Sequence, residues 1–240
     1  MENKNIISIS RESFLETKKN FEGKKRAFGS FSCVYFDNKK AYKLYNKKPF
    51  LLDNNDNIIF NHNDVLENIL YFNQNKFNMV SDIKKVYLVD ENIVMYEMED
   101  LSNMYNMRKI NENNFDITLE ELKLTWKNAL KLAYSLSNEN RVMYDLKESN
   151  AFILNGNFKV CDVDFYIKEN IDNILNINYK LVNTTFIDFI ERYLFSYCYE
   201  CRYDKHLIEK ESYVDDTIED LLINSNYSSK TLKQVAKNLR

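Results

Sequence analysis

The dipeptide Asn155-Gly156 lies between two short apolar runs, "AFIL" and "NFKV", and constrains the fold more than any other feature of the chain. A two-residue hairpin turn of type I′ needs positive φ at both central positions, which Asn-Gly adopts readily. The turn also sets the register, because Leu154 must then pair with Asn157. The sequence therefore predicts a tight antiparallel hairpin here.

Acidic and amide side chains gather at the open end of this hairpin. Continuing its ladder places Asn150 opposite Cys161 and diagonal to Asp162, within the reach of cross-strand neighbours. An amide oxygen and a carboxylate suit a hard cation such as Mg²⁺, although solvated strand-end residues would give the same pattern. Asp145, on the entering loop, favours the first interpretation because it could hold an attacking hydroxyl while the metal holds phosphate.

The first hundred residues have mainly the pattern of β-strands. Residues 1–20 are polar, and we expect them to be partly disordered or to form a short leading helix. Two hairpins follow, one turning at residues 37–39 and the other at residues 90–92. Between them, "NDVLENILYFNQNKF" has helical spacing, with Val65, Ile69 and Phe72 on one face.

The remainder of the chain is mainly helical in pattern. Thr118 and Glu121 fit a capping box, and Leu122, Trp126, Leu130 and Ala133 form an apolar stripe behind it. Further helical periods follow in "NTTFIDFIERYLFSYCYE" and "TIEDLLINSNYSSKTLKQVAKNL". The sparsely apolar stretch "EMEDLSN" indicates a boundary between two bodies near residue 100.

Two motifs in the second half resemble those of the protein-kinase-like phosphotransferases. "YDLKESN" is similar to the catalytic loop H-R-D-L-x-x-x-N, and "CDVDF" is similar to the D-F-G segment. The resemblance implies that Asp145 is the catalytic base and that Lys147 neutralises the transferring phosphoryl group. It also implies that Asn150 and Asp162 bind Mg²⁺.

The first half resembles the nucleotide-binding part of the same family. "AFGSFSCVY" is similar to the glycine-rich loop, "KAYK" to the V-A-I-K strand, and "IVMYEM" to the strand that leads to the hinge. The resemblance implies that Lys43 contacts the ATP phosphates and pairs with Glu67. It further implies that ATP is bound by Gly29, Ser30, Val34, Ala41, Lys43, Tyr96 as gatekeeper, the backbone of Glu97 and Met98, and Phe152.

Several residues depart from the family pattern, among them Ala27 and Ser32, which replace two glycines of the glycine-rich loop. Met143 and Tyr144 replace the His-Arg pair, so control by a phosphorylated activation loop is not expected. Asp164 stands where the family has glycine, and we expect it to support the metal site or to cap the segment. After Phe165 the resemblance is thin, although Asp188 is expected to anchor the backbone of the catalytic loop.

The predicted fold class is α+β, with a bilobal protein-kinase-like fold. Residues 1–20 form a leader, residues 21–98 a β-rich N-lobe with one main helix, and residues 99–240 a reduced, mainly helical C-lobe. The predicted function is ATP- and Mg²⁺-dependent transfer of the γ-phosphate to a hydroxyl of a protein Ser/Thr substrate. A small-molecule kinase of the same fold and a nucleotide-binding pseudokinase that acts as a scaffold are the alternatives.

Composition narrows the partners. A formal net charge of −3 provides no global basic field, so a nucleic-acid partner is not expected. No apolar run is long enough for a membrane span, and the C-x-x-C of Cys198 and Cys201 has no second pair to complete a zinc site. We therefore expect a cytoplasmic protein with reduced thiols and no membrane partner.

Overall fold

The computed structural model describes residues 5–52, 58–109, 116–197 and 229–234. These residues form a mixed α+β structure that divides into two compact units. The first unit falls within Met1–Asn103 together with Cys161–Lys168, and the second within Met104–Val160 together with Glu169–Arg240. The segment Cys161–Lys168 thus belongs to the first unit, although the sequence division assigned it to the second body.

The elements of the described residues run as follows in chain order. They are β1 (Ile6–Ser8), α1 (Arg11–Asn20), β2 (Arg26–Phe28), β3 (Ser32–Asp37), β4 (Lys40–Tyr45), β5 (Leu51–Leu52), β6 (Ile58–Phe60), α2 (His62–Gln74), β7 (Ile83–Val89), β8 (Asn92–Glu99), β9 (Tyr105–Asn106), α3 (Leu119–Asn138), β10 (Arg141–Met143), β11 (Ala151–Leu154), β12 (Asn157–Val160), β13 (Tyr166–Lys168) and α4 (Ile174–Tyr197). A short 3₁₀ helix, Glu148–Asn150, precedes β11.

A six-stranded sheet in the order β1-β7-β8-β4-β3-β2 forms the frame of the first unit. Both predicted hairpins are confirmed, since β3 pairs with β4 and β7 pairs with β8 in antiparallel register. Their turns need positive φ, which Asn38, Lys39, Asp90 and Glu91 adopt. Short polar residues such as Asn and Asp tolerate this left-handed region better than most others do.

Residues 5–20 of the first unit include a short strand and a helix. Helix α1 is the leading helix that the sequence allowed, and Ser10 caps it by accepting a hydrogen bond from Ser13 N. Strand β1, which sequence patterning missed, pairs in parallel with β7, with Ile6 opposite Val86. Three residues are too few for their alternation to be recognised against polar surroundings.

Helix α2 begins at a capping box in which Asn61 and Asp64 satisfy each other's backbone groups. Its buried face includes Val65, Ile69 and Phe72, as the helical spacing predicted. Asn68 lies on this same face, three residues after Val65 and four before Phe72. The buried face of α2 thus carries an amide group.

The second unit contains the Asn-Gly hairpin and two long helices. Strands β11 and β12 pair from Ala151 with Val160 to Leu154 with Asn157, so the predicted register is confirmed. Asn155 and Gly156 have φ values of 51° and 75°, as a type I′ turn requires. The capping box of α3 is also confirmed, with Thr118 and Glu121 as its members.

The buried face of α3 is rotated relative to the predicted stripe. Leu122 and Ala133 are buried as expected, but Trp126 and Leu130 are only half-buried. The centre of the face is formed instead by residues that include Thr125, Ala129, Leu132 and Leu136. Most of the predicted final helix, and both Cys198 and Cys201, lie outside the described residues.

Candidate functional site

A buried ion cluster forms around Lys43 in the first unit. The Nζ atom of Lys43 makes ion pairs with Asp162 and with Asp164, the latter at 2.8 Å from Oδ2. Lys43 is only 3% exposed. Burial lowers the pKa of Lys43, but the negative charges of Asp162 and Asp164 outweigh this effect and raise it. Lys43 is therefore a permanent cation held between two carboxylates.

Strand register brings Lys43 beside two other predicted nucleotide-binding residues. Lys43 on β4 lies opposite Val34 on β3 and opposite Tyr96 on β8. Because directly opposed residues project from the same face of a sheet, these three side chains share one face. Ala41, two residues before Lys43, projects from that face too, and it is buried.

Asp164 is the most connected member of the cluster and is 2% exposed. Its Oδ2 accepts hydrogen bonds from Lys43 and from the hydroxyl of Tyr45 at 2.6 Å, while its Oδ1 accepts one from Tyr96 at 3.2 Å. Burial raises the pKa of Asp164, and the nearby Asp162 adds to this, whereas Lys43 opposes it. Burial and the charge of Asp164 also raise the pKa of both tyrosines.

The predicted ion pair between Lys43 and Glu67 is absent from the described residues. Glu67 lies on the exposed side of α2, because one residue along a helix rotates the side chain by about 100°. The neighbouring Asn68 faces the interior instead. Its Nδ2 donates hydrogen bonds to the backbone oxygens of Val163 and Asp164, the latter at 3.1 Å.

The loop that resembles the glycine-rich loop is a tight connection between β2 and β3. Gly29 N donates a hydrogen bond of 2.9 Å to Ser32 O, and both Gly29 and Ser30 are exposed. Phe31 packs against Phe50 and Phe165, with ring centroids 5.2 Å and 6.3 Å away. The exposed residues Gly29 and Ser30 are thus followed directly by a side chain that packs against two other rings.

The predicted hinge residues lie inside the sheet. Glu97 and Met98 belong to β8, which pairs with β4 on one side and β7 on the other. Pairing on both sides occupies the backbone N–H and C=O groups that adenine recognition would need. The prediction of a backbone hinge at these two residues is therefore corrected, and the side chain of Glu97 pairs with Lys40 at 3.0 Å.

A polar cluster forms on the loop of the second unit that resembles the catalytic loop. Lys147 Nζ lies 2.5 Å from Asp145 Oδ1. Asn150 donates from Nδ2 to the backbone oxygen and to Oδ2 of Asp145, at 3.0 Å and 2.9 Å. Asp145, Lys147 and Asn150 are therefore brought together, as the motif predicts, and the Asp145 carboxylate is held by both neighbours.

Side chains of helix α4 bind to strand β10 and to the loop that follows it. Asn178 accepts a hydrogen bond from Met143 N at 2.9 Å and donates one to Arg141 O at 2.7 Å. Arg192 binds the buried carboxylate of Glu148 through Nε and Nη2, at 3.0 Å and 2.7 Å. Bidentate pairing of this kind fixes orientation as well as charge. Sequence reasoning missed Asn178, Arg192 and Glu148.

The anchoring role predicted for Asp188 is not found among the described residues. Asp188 lies on the exposed side of α4. The buried Thr185 on the same helix donates to Leu181 O at 2.9 Å, and its hydroxyl lies 3.4 Å from Leu146 O. Phe152, which the resemblance assigned to ATP binding, lies half-buried on β11, between Lys159 and Asn106 of the neighbouring strands.

The two predicted magnesium ligands present suitable oxygen atoms, each within its own unit. Asp162 has a carboxylate that is about one-third exposed, and its backbone adopts a φ of 61°, a left-handed conformation found often at functional sites. Asn150 commits its Nδ2 to Asp145, which leaves the amide oxygen as its acceptor atom. Carboxylate and amide oxygens are both ligand types that Mg²⁺ accepts.

In the part of the chain that the structure describes, no cluster of three or more His, Cys, Asp or Glu side chains has metal-binding geometry, and no helix has the length and apolar character needed to cross a membrane. No known protein-family model matches the sequence, and none of the curated proteins matches it significantly.

Proposed function

We propose that the protein is an ATP- and Mg²⁺-dependent phosphotransferase with a bilobal protein-kinase-like fold, and that its acceptor is a Ser or Thr hydroxyl of a protein. One observation carries this proposal. Lys43, buried on a central strand, is ion-paired with Asp162, which is 119 residues away in sequence. Burying a lysine on a sheet together with a carboxylate carries a desolvation cost. A role in phosphate binding would account for this arrangement.

Each residue of the candidate site would have its own role in the reaction. Lys43 would neutralise phosphate oxygens of ATP, and Asp162 and Asn150 would hold Mg²⁺, which supplies positive charge to the transferring phosphoryl group. Asp145 would orient the acceptor hydroxyl and accept its proton. Lys147, which is exposed and paired with Asp145, would stabilise charge on the transferred group. Catalysis would rest on placement and charge neutralisation.

A small-molecule acceptor is the second candidate, and one observation favours it. Strand β13 ends at Lys168 and α4 begins at Ile174, so only five residues separate them. A segment this short offers little backbone on which an extended peptide could dock. Lys147 supports the protein acceptor, whereas the short segment supports the small one.

Transfer from labelled ATP with Mg²⁺ to a mixture of protein acceptors and to a pool of small hydroxyl compounds tests the proposal. We expect wild-type protein to transfer phosphate, and Asp145→Asn and Asp162→Asn to abolish transfer. Asp90→Asn is the matched control, because it makes the same chemical change in an exposed turn where Asn tolerates the positive φ. The labelled product identifies the acceptor class.

Binding of ATP separates an inactive enzyme from a wrong assignment. ATP at 100 times its dissociation constant should add about 2.7 kcal/mol to the free energy of unfolding. Stabilisation by ATP without transfer to any acceptor would identify a pseudokinase. The absence of both stabilisation and transfer at saturating ATP and Mg²⁺ would overturn the proposal.

A further inference from the structure

We propose that Asp164 is the positioning residue of Lys43, and that it takes the place of a carboxylate on helix α2. This inference rests on the proposed function, because it concerns how Lys43 is held ready for ATP. Its consequence is that the position of Lys43 is set by the sheet and by the segment Asp162–Asp164. Helix α2 would then affect Lys43 only through the hydrogen bonds that Asn68 donates to this segment, and not through a charge of its own.

The geometry of Asp164 is that of a fixed anchor. Its two oxygens accept three hydrogen bonds, from Lys43, Tyr45 and Tyr96, which belong to the adjacent strands β4 and β8. Tyr96 lies directly opposite Lys43, and Tyr45 follows Lys43 by two residues on the same face. The donors thus have positions fixed by strand pairing, and a buried carboxylate with three donors is held in one orientation.

Helix α2 contacts this segment through a neutral group. Asn68 donates to the backbone oxygens of Val163 and Asp164, while Glu67 lies on the exposed side. Asn68 can therefore hold the segment against α2, but it contributes no charge to Lys43. In the described residues, the carboxylates that meet Lys43 come only from Asp162 and Asp164.

The ammonium group of Lys43 has two carboxylate partners, and each partner has a different role. Asp162 has a partly exposed carboxylate, whereas that of Asp164 is almost fully buried. If Asp162 were to bind a cation, Asp164 would remain as the partner of Lys43, which would not be left as an unpaired buried charge. Asp164 would therefore leave Asp162 free to serve as a metal ligand while Lys43 keeps its position.

Measuring the dissociation constant of Mg·ATP, the KM for ATP and kcat in a set of variants tests this inference. We expect Asp164→Asn to raise the dissociation constant and KM by about tenfold or more, because Lys43 loses its fixed partner. Tyr45→Phe combined with Tyr96→Phe keeps the charge and the rings, and should raise both by about threefold or more. Glu67→Gln should change neither by more than about twofold.

A control variant separates positioning from stability. Ile93→Ala removes buried side-chain volume from β8 at a position that pairs with Leu88 and has no polar side-chain group to offer Asp164. It should lower the melting temperature while leaving the dissociation constant of Mg·ATP within about twofold of wild type. If Asp164→Asn does not fold, the two tyrosine substitutions decide the question.

The outcomes separate this inference from the proposed function. An active wild type in which Glu67→Gln weakens ATP binding as much as Asp164→Asn, or in which the tyrosine pair behaves like Ile93→Ala, would overturn the inference alone. A wild type that neither binds ATP nor transfers phosphate would overturn the proposed function and the inference together.

Discussion

The hydroxyl of Tyr45 lies 2.6 Å from Oδ2 of Asp164, the same oxygen that Lys43 approaches to 2.8 Å. Tyr45 and Lys43 alternate with one intervening residue on β4, so a single strand offers two donors to one carboxylate oxygen. Tyr96 completes the arrangement from β8. The charge cluster is therefore part of the core of the first unit, and its effect on stability and its effect on any ligand are coupled.

The buried imidazole of His62 should make stability depend on acidity. Neither ring nitrogen has a hydrogen-bond partner among the described residues, and burial, with a smaller effect of Lys48, lowers the pKa of His62. The unfolded chain then binds the proton more readily than the folded one. Stability is complete above the unfolded pKa of about 6.5 and falls as pH decreases below it, by up to about 1.4 kcal/mol per pH unit.

Urea unfolding of wild type and His62→Leu between pH 5 and pH 7.5 measures this effect. Both proteins retain His206, so the difference between the two profiles isolates His62. The free energy of unfolding of wild type should decrease toward pH 5 more steeply than that of His62→Leu. Parallel profiles would show that His62 is protonated equally in both states.

The thiol of Cys161 should be unreactive in the folded protein. Burial, helped by the neighbouring charge of Asp162, raises the pKa of Cys161 to about 12, although Lys43 opposes this. At pH 8 only about one thiol in 10⁴ is then ionised, and the thiolate is the reactive form. Iodoacetamide labelling followed by peptide mass spectrometry should find Cys161 unmodified in buffer and modified in guanidinium chloride. Labelling in buffer at the rate of the denatured protein would contradict the prediction.

The buried amide of Asn178 should contribute more to the free energy of unfolding than an exposed amide on the same helix. Replacing Asn178 by Ala removes the acceptor of Met143 N and the donor to Arg141 O and Ser137 Oγ, which costs about 2–4 kcal/mol. Asn176→Ala is the matched control, because Asn176 lies on the exposed side of the same helix and its loss should cost little. Chemical denaturation measures both variants, and equal effects would mean that these hydrogen bonds do not contribute.

Replacing Gly156 by Ala should destabilise the hairpin through two separate effects. Its φ of 75° is unfavourable for a residue with a Cβ, by about 1–2 kcal/mol, and the new Cβ would lie 2.5 Å from Leu124 Cδ2. The same substitution in a Leu124→Ala background removes the contact and keeps the backbone cost. The free energy lost on Gly156→Ala should therefore be smaller in that background. An equal loss would show that Leu124 moves aside freely.

Local chemistry made some parts of this structure predictable. The Asn-Gly turn determined every pair of the β11–β12 ladder, because a two-residue turn leaves no freedom of register. The capping box at Thr118 and Glu121 was equally local. Asp145, Lys147 and Asn150 also came together as expected, since they lie within six residues of one loop.

Contacts between distant residues were not predictable in the same way. The burial of Asp164 depends on Tyr45 and Tyr96, which are 119 and 68 residues away, and nothing near Asp164 in sequence marks that pocket. The sequence could have indicated that Asn68, and not Glu67, faces the interior, because Asn68 continues the spacing of Val65 and Ile69. The resemblance to kinases implied a role for Glu67, whereas the helical periodicity placed Asn68 on the buried face.

The two edge strands of the six-stranded sheet affect the tendency of this protein to aggregate at high concentration. Both edge strands of the described sheet, β1 and β2, are only three residues long. Short edges offer few unpaired backbone groups to a neighbouring molecule and so oppose edge-to-edge aggregation. Because β1 covers the seven-residue strand β7, deleting residues 5–8 would uncover a longer edge. A shortened chain used for crystallisation should therefore keep these residues.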